Sequence, residues 1–191
     1  MMNHEKKMNG LLEGLKGGDL RSDGRADEVA DMVLRNPALL DELAEGLDAY
    51  DGVVRARTAH ALEKISRTHP EMLAYLKSRL IKLALEDNIP MVRWHLAMIF
   101  GNLRLREKEN DTIIETLFAL LGDESDFVKC WAVVSLTIIG RRVEKKRNAI
   151  EKELKRLQKG QSRAVMTRVN KALKVCENED VEIPAGWMKD R

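Results

Sequence analysis

The chain has 191 residues, 44% of them hydrophobic, which is enough for one buried core, while only 4% are aromatic and four are proline, which argues against a β-rich domain. Leu, Ala, Glu, Lys and Arg dominate, and these are strong helix formers, so the expected class is all-α. The net charge of +2 hides an uneven spread: residues 1–53 carry 6 basic and 12 acidic side chains, residues 141–175 carry 13 basic and 3 acidic. No apolar run approaches the roughly 18–20 residues a membrane span needs, and the N-terminus lacks the apolar stretch of a signal peptide. Cys130 and Cys176 form no CxxC unit and have no ligand-spaced neighbours, so a reduced cytoplasmic chain without structural metal is expected.

Residues 9–34 read as a degenerate helical cap. Ala26, Val29, Ala30, Val33 and Leu34 form one apolar stripe and Leu11, Leu12 and Leu15 a shorter one, with Gly17, Gly18 and Gly24 loosening the junctions. From Asn36-Pro37 onward, helices come in pairs. Leu39, Leu40, Leu43 and Leu47 mark the first member of the first pair, with Pro37 in its first turn. The next first members start at His69-Pro70, Asn110-Asp111 and Arg147-Asn148. Their apolar faces are Leu73, Leu76, Leu80 and Leu83; then Ile113, Ile114, Leu117, Leu120 and Leu121; then Ile150, Leu154 and Leu157.

The second members superimpose on one another without gaps. They begin at Val54, Val92, Val128 and Val165, which are 38, 36 and 37 residues apart. Within each, apolar residues fall at offsets 0, 4, 5, 8 and 11 from that valine, one face of a helix, with Asn170 the exception in the last copy. Acid-rich turns precede the first three: residues 48–52, 86–90 and 122–126. Asp and Ser there cap the helix start and suit its dipole, and Pro90 sits where a missing N–H costs nothing. The fourth turn, Lys159-Gly160-Gln161-Ser162, lacks the acid.

A turn acid followed by Val-Arg and an Ala-x-Ala-Leu run is clearest at Asp51, Val54, Arg55, Ala59, Ala61 and Leu62. It recurs at Asp87, Val92, Arg93 and Ala97, and at Asp123 or Asp126, Val128 and Lys129. This pattern resembles the HEAT/armadillo-like helical solenoid family. The resemblance implies a right-handed α-α superhelix, with capping helices in 1–35, four repeats in 36–176 and a tail in 177–191. It further implies a ladder in which Asp51, Asp87 and Asp123 pair with Arg55, Arg93 and Lys129, ending before Met166. It also puts the second helices on a concave surface.

On that surface, offsets 3, 6 and 10 should face the groove. They supply Arg57, His60 and Lys64; His95, Met98 and Asn102; Trp131, Val134 and Ile138; and Arg168, Lys171 and Val175, with Trp94 and Cys130 adjacent. The centre of the stripe is apolar and aromatic and its ends are basic, the arrangement of many hot-spot surfaces. Trp94 and Trp131 border the core face, so groove and inter-helix core both remain open for them. A third alternative has Trp187 of the tail occupying the groove.

The candidate partner site is therefore Arg57, His60, Lys64, Trp94, His95, Met98, Trp131, Val134, Arg168 and Lys171, and its occupant a protein or peptide segment with acidic flanks. The alternative partner is nucleic acid, tracked by Arg141, Arg142, Lys145, Lys146, Arg147, Arg163 and Arg168. Catalysis is not expected. DNA alkylpurine glycosylases with HEAT-like repeats place a carboxylate beside groove aromatics, whereas here the one acid on the second helices, Glu63, lies a repeat away from Trp94. His4, His60, His69 and His95 form no metal or triad signature, and no phosphate loop follows Gly17-Gly18. No cofactor is expected, and the sequence leaves the oligomeric state open.

Overall fold

The computed structural model describes residues 10–104 and 107–188, with the side chains of 107–109 left out. The outer parts of the sequence-read cap and tail, His4 included, lie outside the described residues. A helical turn at 10–13 leads into irregular chain, and α1 follows at Ala26–Arg35. The first pair is Pro37–Leu39 (3-10), α2 Leu40–Glu45 and Gly46–Asp48 (3-10), then α3 Gly52–Thr68. The second is Pro70–Leu76 (3-10) with α4 Lys77–Glu86, then α5 Pro90–Asn102. The third is α6 Glu107–Leu120 and α7 Asp126–Arg142, the fourth α8 Glu144–Leu157 and α9 Arg163–Glu177. No strand occurs among the described residues.

All four first members begin differently from the sequence reading. Pro37 and Pro70 open 3-10 turns rather than α-helix, although Pro90 opens the α-helix α5 directly. The third and fourth start three residues earlier than Asn110 and Arg147, since Glu107-Lys108-Glu109 and Glu144-Lys145-Lys146 are helix formers that extend them.

The helices form two layers. The inner layer is α3, α5, α7 and α9, each packed on the next, and α1 extends it beyond α3. The other helices cover the opposite face. One continuous core runs between the layers: Leu62, Ile65, Leu80, Leu96, Ile99, Leu117, Leu136, Ile139, Leu154 and Val169 are all fully buried. Leu62, Ile65, Leu96, Leu136, Ile139 and Val169 stand at offsets read as core and Leu80, Leu117 and Leu154 on the apolar faces of the first members, whereas Ile99, at offset 7, was not among them.

Ion pairs link successive turns. Arg55 Nε donates to Asp87 at 2.7 Å, and Arg93 makes a two-pronged pair with Asp123 at 2.7 and 2.9 Å. Each of these arginines also donates to main-chain oxygens of its own preceding turn, Ala49 and Tyr50 for Arg55, Asp87 for Arg93. Asp51 is not a rung. Its carboxylate accepts from Val53 N and caps α3, because it lies three residues before its valine while Asp87 and Asp123 lie five before theirs. Lys129 extends the ladder one step further, with neutral Gln161 accepting at 3.1 Å.

Candidate partner-binding groove

The row at offsets 3, 6 and 10 is less open than expected, because His60, His95, Met98, Asn102, Val134 and Ile138 are buried between neighbouring helices and the tail. The row is also closed at its N-terminal end. Arg57 was read as an open groove residue, but its guanidinium donates to five main-chain oxygens, those of Leu15, Lys16, Gly17, Asp19 and Ser22, at 2.7–3.2 Å. It is 3% exposed. Gly24, at φ +56°, lies against the same guanidinium, and a Cβ there would stand 2.7 Å from Arg57 Cζ. Arg57 is thus the hub around which the N-terminal segment is wound, not a free anchor for a partner. Lys64 is turned to the same end, where it pairs with Asp27 at 2.5 Å.

His60 and His95, from neighbouring inner helices, stack with ring centroids 4.6 Å apart and planes 16° from parallel. His95 Nδ1 lies 2.8 Å from the Met91 carbonyl, which only accepts, so this nitrogen carries the proton and Nε2 faces the Trp94 N–H at 3.4 Å. Burial pulls the His60 imidazole below its ordinary value, against the Asp23, Glu63 and Asp27 carboxylates. Imidazole lone pairs lie in the ring planes, so near-parallel rings 4.6 Å apart do not bring theirs to one point, a poor arrangement for holding one metal ion. Among the described residues there is no cluster of three or more His, Cys, Asp or Glu suited to a metal.

The centre of the row gathers around the tail. Met98, Asn102, Trp131, Val134 and Ile138 line a cavity together with Glu63 and Trp187. These are the residues at offsets 3, 6 and 10, joined by an indole from the other end of the chain. The remaining space is about 10 Å³, about that of a single water, so Trp187 fills it. Trp187 is 6% exposed. Its approach is set by a turn: Trp187 N donates to Pro184 O at 3.1 Å, and Gly186 occupies the third position at φ +82°, a conformation that glycine adopts freely. The Arg168 guanidinium lies between two indoles, 5.7 Å from the Trp131 ring and 5.5 Å from Trp187.

Trp94 is not part of this cluster of rings. Its ring partners are His95 and Phe127, the latter at 5.2 Å and largely exposed, a contact that the sequence reading missed because Phe127 belongs to the next turn. Glu63 stands closer to the aromatic centre than expected, lining the same cavity as Trp131. Its carboxylate is bound twice over by Arg67 one helical turn on, at 2.7–3.2 Å. Beside Trp187 an open hollow of about 750 Å³ is walled by Trp131, Arg163, Arg168 and Lys171.

Much of the basic C-terminal cluster is already engaged. Arg141 donates to the Glu179 carbonyl at 2.7 Å and to that of Val181, and Arg147 pairs with Glu179 at 2.5 Å, so both hold the tail. Arg142 donates to Gly101 O at 2.7 Å, and Lys146 pairs with Asp111 at 2.5 Å. Lys145 and Arg163 are exposed, and Lys171 is exposed on the groove side. The seven residues read as a phosphate track therefore do not form one continuous free surface.

No family model matches the chain, and no curated protein matches it. Solved structures do. The complex of CpcE and CpcF of phycocyanin lyase from Nostoc sp. PCC7120 contains a chain that superimposes with a TM-score of 0.69 at 22% identity, over 88% of this chain and 98% of that one. A designed armadillo repeat protein in complex with the peptide (KR)4 gives 0.63 at 20% identity, over 93% and 84%. The chain has the HEAT/armadillo-like helical-repeat fold. A computationally designed armadillo protein for modular peptide recognition agrees, with a TM-score of 0.63 at 20% identity over 90% and 83%. At these identities the likeness establishes the solenoid alone. No described helix of the solenoid is long and apolar enough to cross a membrane.

Proposed function

We propose that this solenoid is a non-enzymatic scaffold that binds a protein or peptide partner along its concave inner layer, with 1–35 as cap, 36–176 as four repeats and 177–191 as tail. The observation that carries the reading is the packing of Trp187 among Met98, Asn102, Trp131, Val134 and Ile138. An irregular segment of chain already sits where a partner's would, anchored by one aromatic side chain in a pocket of mixed apolar and polar lining with a basic rim. Trp94 with Phe127, and His60 with His95, extend the surface toward the other end. The solved relative named for its (KR)4 complex takes a basic peptide. Here Arg163, Arg168 and Lys171 reverse the expected charge, so the partner should be acidic.

Peptide display on the intact protein tests this. Selection should enrich acidic sequences containing Trp or Phe, and the enrichment should vanish on a Trp131→Ala/Arg168→Ala variant that melts cooperatively. The nucleic-acid alternative gains if no peptide is enriched while a labelled single-stranded RNA binds with an affinity that falls steeply with salt. Binding that is flat with salt would remove that alternative.

A further inference from the structure

We propose that residues 177–188 are a ligand built into the chain, and that a partner opens the groove by replacing Trp187 with an aromatic side chain carried on an acidic extended segment of its own. The proposal rests on the groove reading above and adds the chemistry of the occupant and the means of access.

The tail has the composition of a groove ligand rather than of a core element. Glu177, Glu179, Asp180 and Glu182 are followed by Ile183-Pro184-Ala185-Gly186-Trp187. Two of these acids meet the strongly basic fourth repeat: Arg147 pairs with Glu179, and Lys155 with Glu177 at the end of α9, at 3.2 Å. Arg141 instead grips the main-chain oxygens of Glu179 and Val181, a contact any extended peptide would satisfy. The Pro184–Trp187 turn then delivers the indole beneath Arg168. Charge complementarity, main-chain capture and an aromatic anchor are the three parts of peptide recognition in a groove.

The hold is also reversible in kind. Among the described residues, the tail from Asn178 onward contains no helix, and Trp187 is its one buried side chain, with Ile183 and Met188 only partly buried beside it. The Glu179 side chain is 68% exposed, so its ion pair is screened by water and salt. Exchange therefore needs the release of exposed ion pairs, the two Arg141 carbonyl contacts, the partly buried Ile183 and Met188, and one indole, while the solenoid beneath keeps its own core. The open hollow next to Trp187, walled by Trp131, Arg163, Arg168 and Lys171, gives an incoming acidic segment a place to land before the tail leaves.

The probe is a fluorescein-labelled peptide copying residues 177–188, titrated by anisotropy into full-length wild type and into full-length Trp187→Ala. A tethered segment competes at an effective concentration of about a millimolar, so wild type should bind the probe about tenfold or more weakly than Trp187→Ala. A probe with its Trp replaced by Ala should not bind, and adding Arg168→Ala to Trp187→Ala should weaken binding about tenfold. Gly186→Val, which strains the turn but keeps the indole, should open the groove in the same direction. Equal affinity for wild type and Trp187→Ala overturns the proposal, as does absence of binding to a cooperatively folded Trp187→Ala. Loss of folding in both Trp187→Ala and Gly186→Val also overturns it, since Trp187 would then be core. If display selects groove-binding peptides but the tail copy does not bind, this proposal falls and the scaffold reading stands. If neither binds, both fall.

Discussion

The two ends of the solenoid solve the same problem in opposite ways. Each covers an inner-layer surface with an irregular segment gripped by arginines. At the N-terminal end the grip is a buried guanidinium with five main-chain oxygens, sealed by Gly24. At the C-terminal end Arg141 holds only two carbonyls, beside an ion pair open to water and one indole. A buried cation surrounded by fixed carbonyls cannot release its partners singly without stranding a charge, whereas exposed pairs separate at little cost. One end is built to stay shut and the other to be exchanged.

That contrast breaks most visibly at Arg57. Arg57→Ala leaves several buried oxygens unpaired and the cap without a hub, and should cost about 3–5 kcal/mol. Urea unfolding should show it as a large drop in midpoint. Arg57→Lys should rescue little, because an ammonium has three donors and lacks the fork that reaches around the loop. A midpoint close to wild type in Arg57→Ala would mean that the N-terminal wrap is as loose as the tail.

The ladder grades from one end toward the other, and a double-mutant cycle measures the grade. Arg93 and Asp123 have side chains only 9% and 8% exposed, and they meet through two hydrogen bonds. Removing either should cost about 2–3 kcal/mol, with most of that loss shared between the two in the cycle. The next rung, Lys129 to Gln161, pairs a cation with a neutral amide, and Lys129→Ala should cost under about 1 kcal/mol. Equal losses at both rungs would remove the argument that the C-terminal repeat is the more weakly joined.

Trp187→Ala comes next in size. A core tryptophan truncated to alanine costs about 3–5 kcal/mol, but a terminal segment can leave without unfolding what lies beneath, so about 1–2 kcal/mol is expected. Amide exchange discriminates the two cases. Faster exchange confined to the tail, α7 and α9 fits a detachable segment, while loss of protection throughout α3 and α5 would make Trp187 part of the global core.

The repeat was legible because the valines at 54, 92, 128 and 165 and the apolar offsets behind them are side-chain patterns, and burial reads side chains. Two rungs of the ladder were legible for the same reason. Asp51 misled because its distance from Val54 differs from that of Asp87 and Asp123 from their valines, a register clue that was present in the sequence. The role of Arg57 was not legible at all, since its five partners are main-chain oxygens and carry no residue signature. Of the groove offsets, Met98, Asn102, Trp131, Val134 and Ile138 gather at one cavity, whereas Arg57 and Lys64 turn to the N-terminal segment. The covering of that cavity by Trp187 depends on a chain reversal that only the Pro-Ala-Gly-Trp turn announces. Glu63 was placed too far from Trp131 because residue numbers do not show how neighbouring inner helices converge on one cavity.

The smallest effect is a gain. Gln161 stands at the rung where the preceding turns carry an acid, and its amide oxygen already accepts from Lys129 at 3.1 Å. Gln161→Glu keeps the shape and adds a charge opposite that lysine, at the start of α9 where the helix dipole favours an anion. Asp126, 3.1 Å from the same lysine, opposes the gain by like-charge repulsion, and the Ser162 hydroxyl already holds its carboxyl below the usual range. The net should be a stabilisation of at most about 0.5 kcal/mol, confined to the α7–α9 junction and lost in high salt. Amide protection should rise in α9 at low ionic strength and be unchanged in α3. A rise in α3 as well would show that the two ends open as one unit, and the difference between a fixed cap and a removable tail would then lie in their contacts but not in their dynamics.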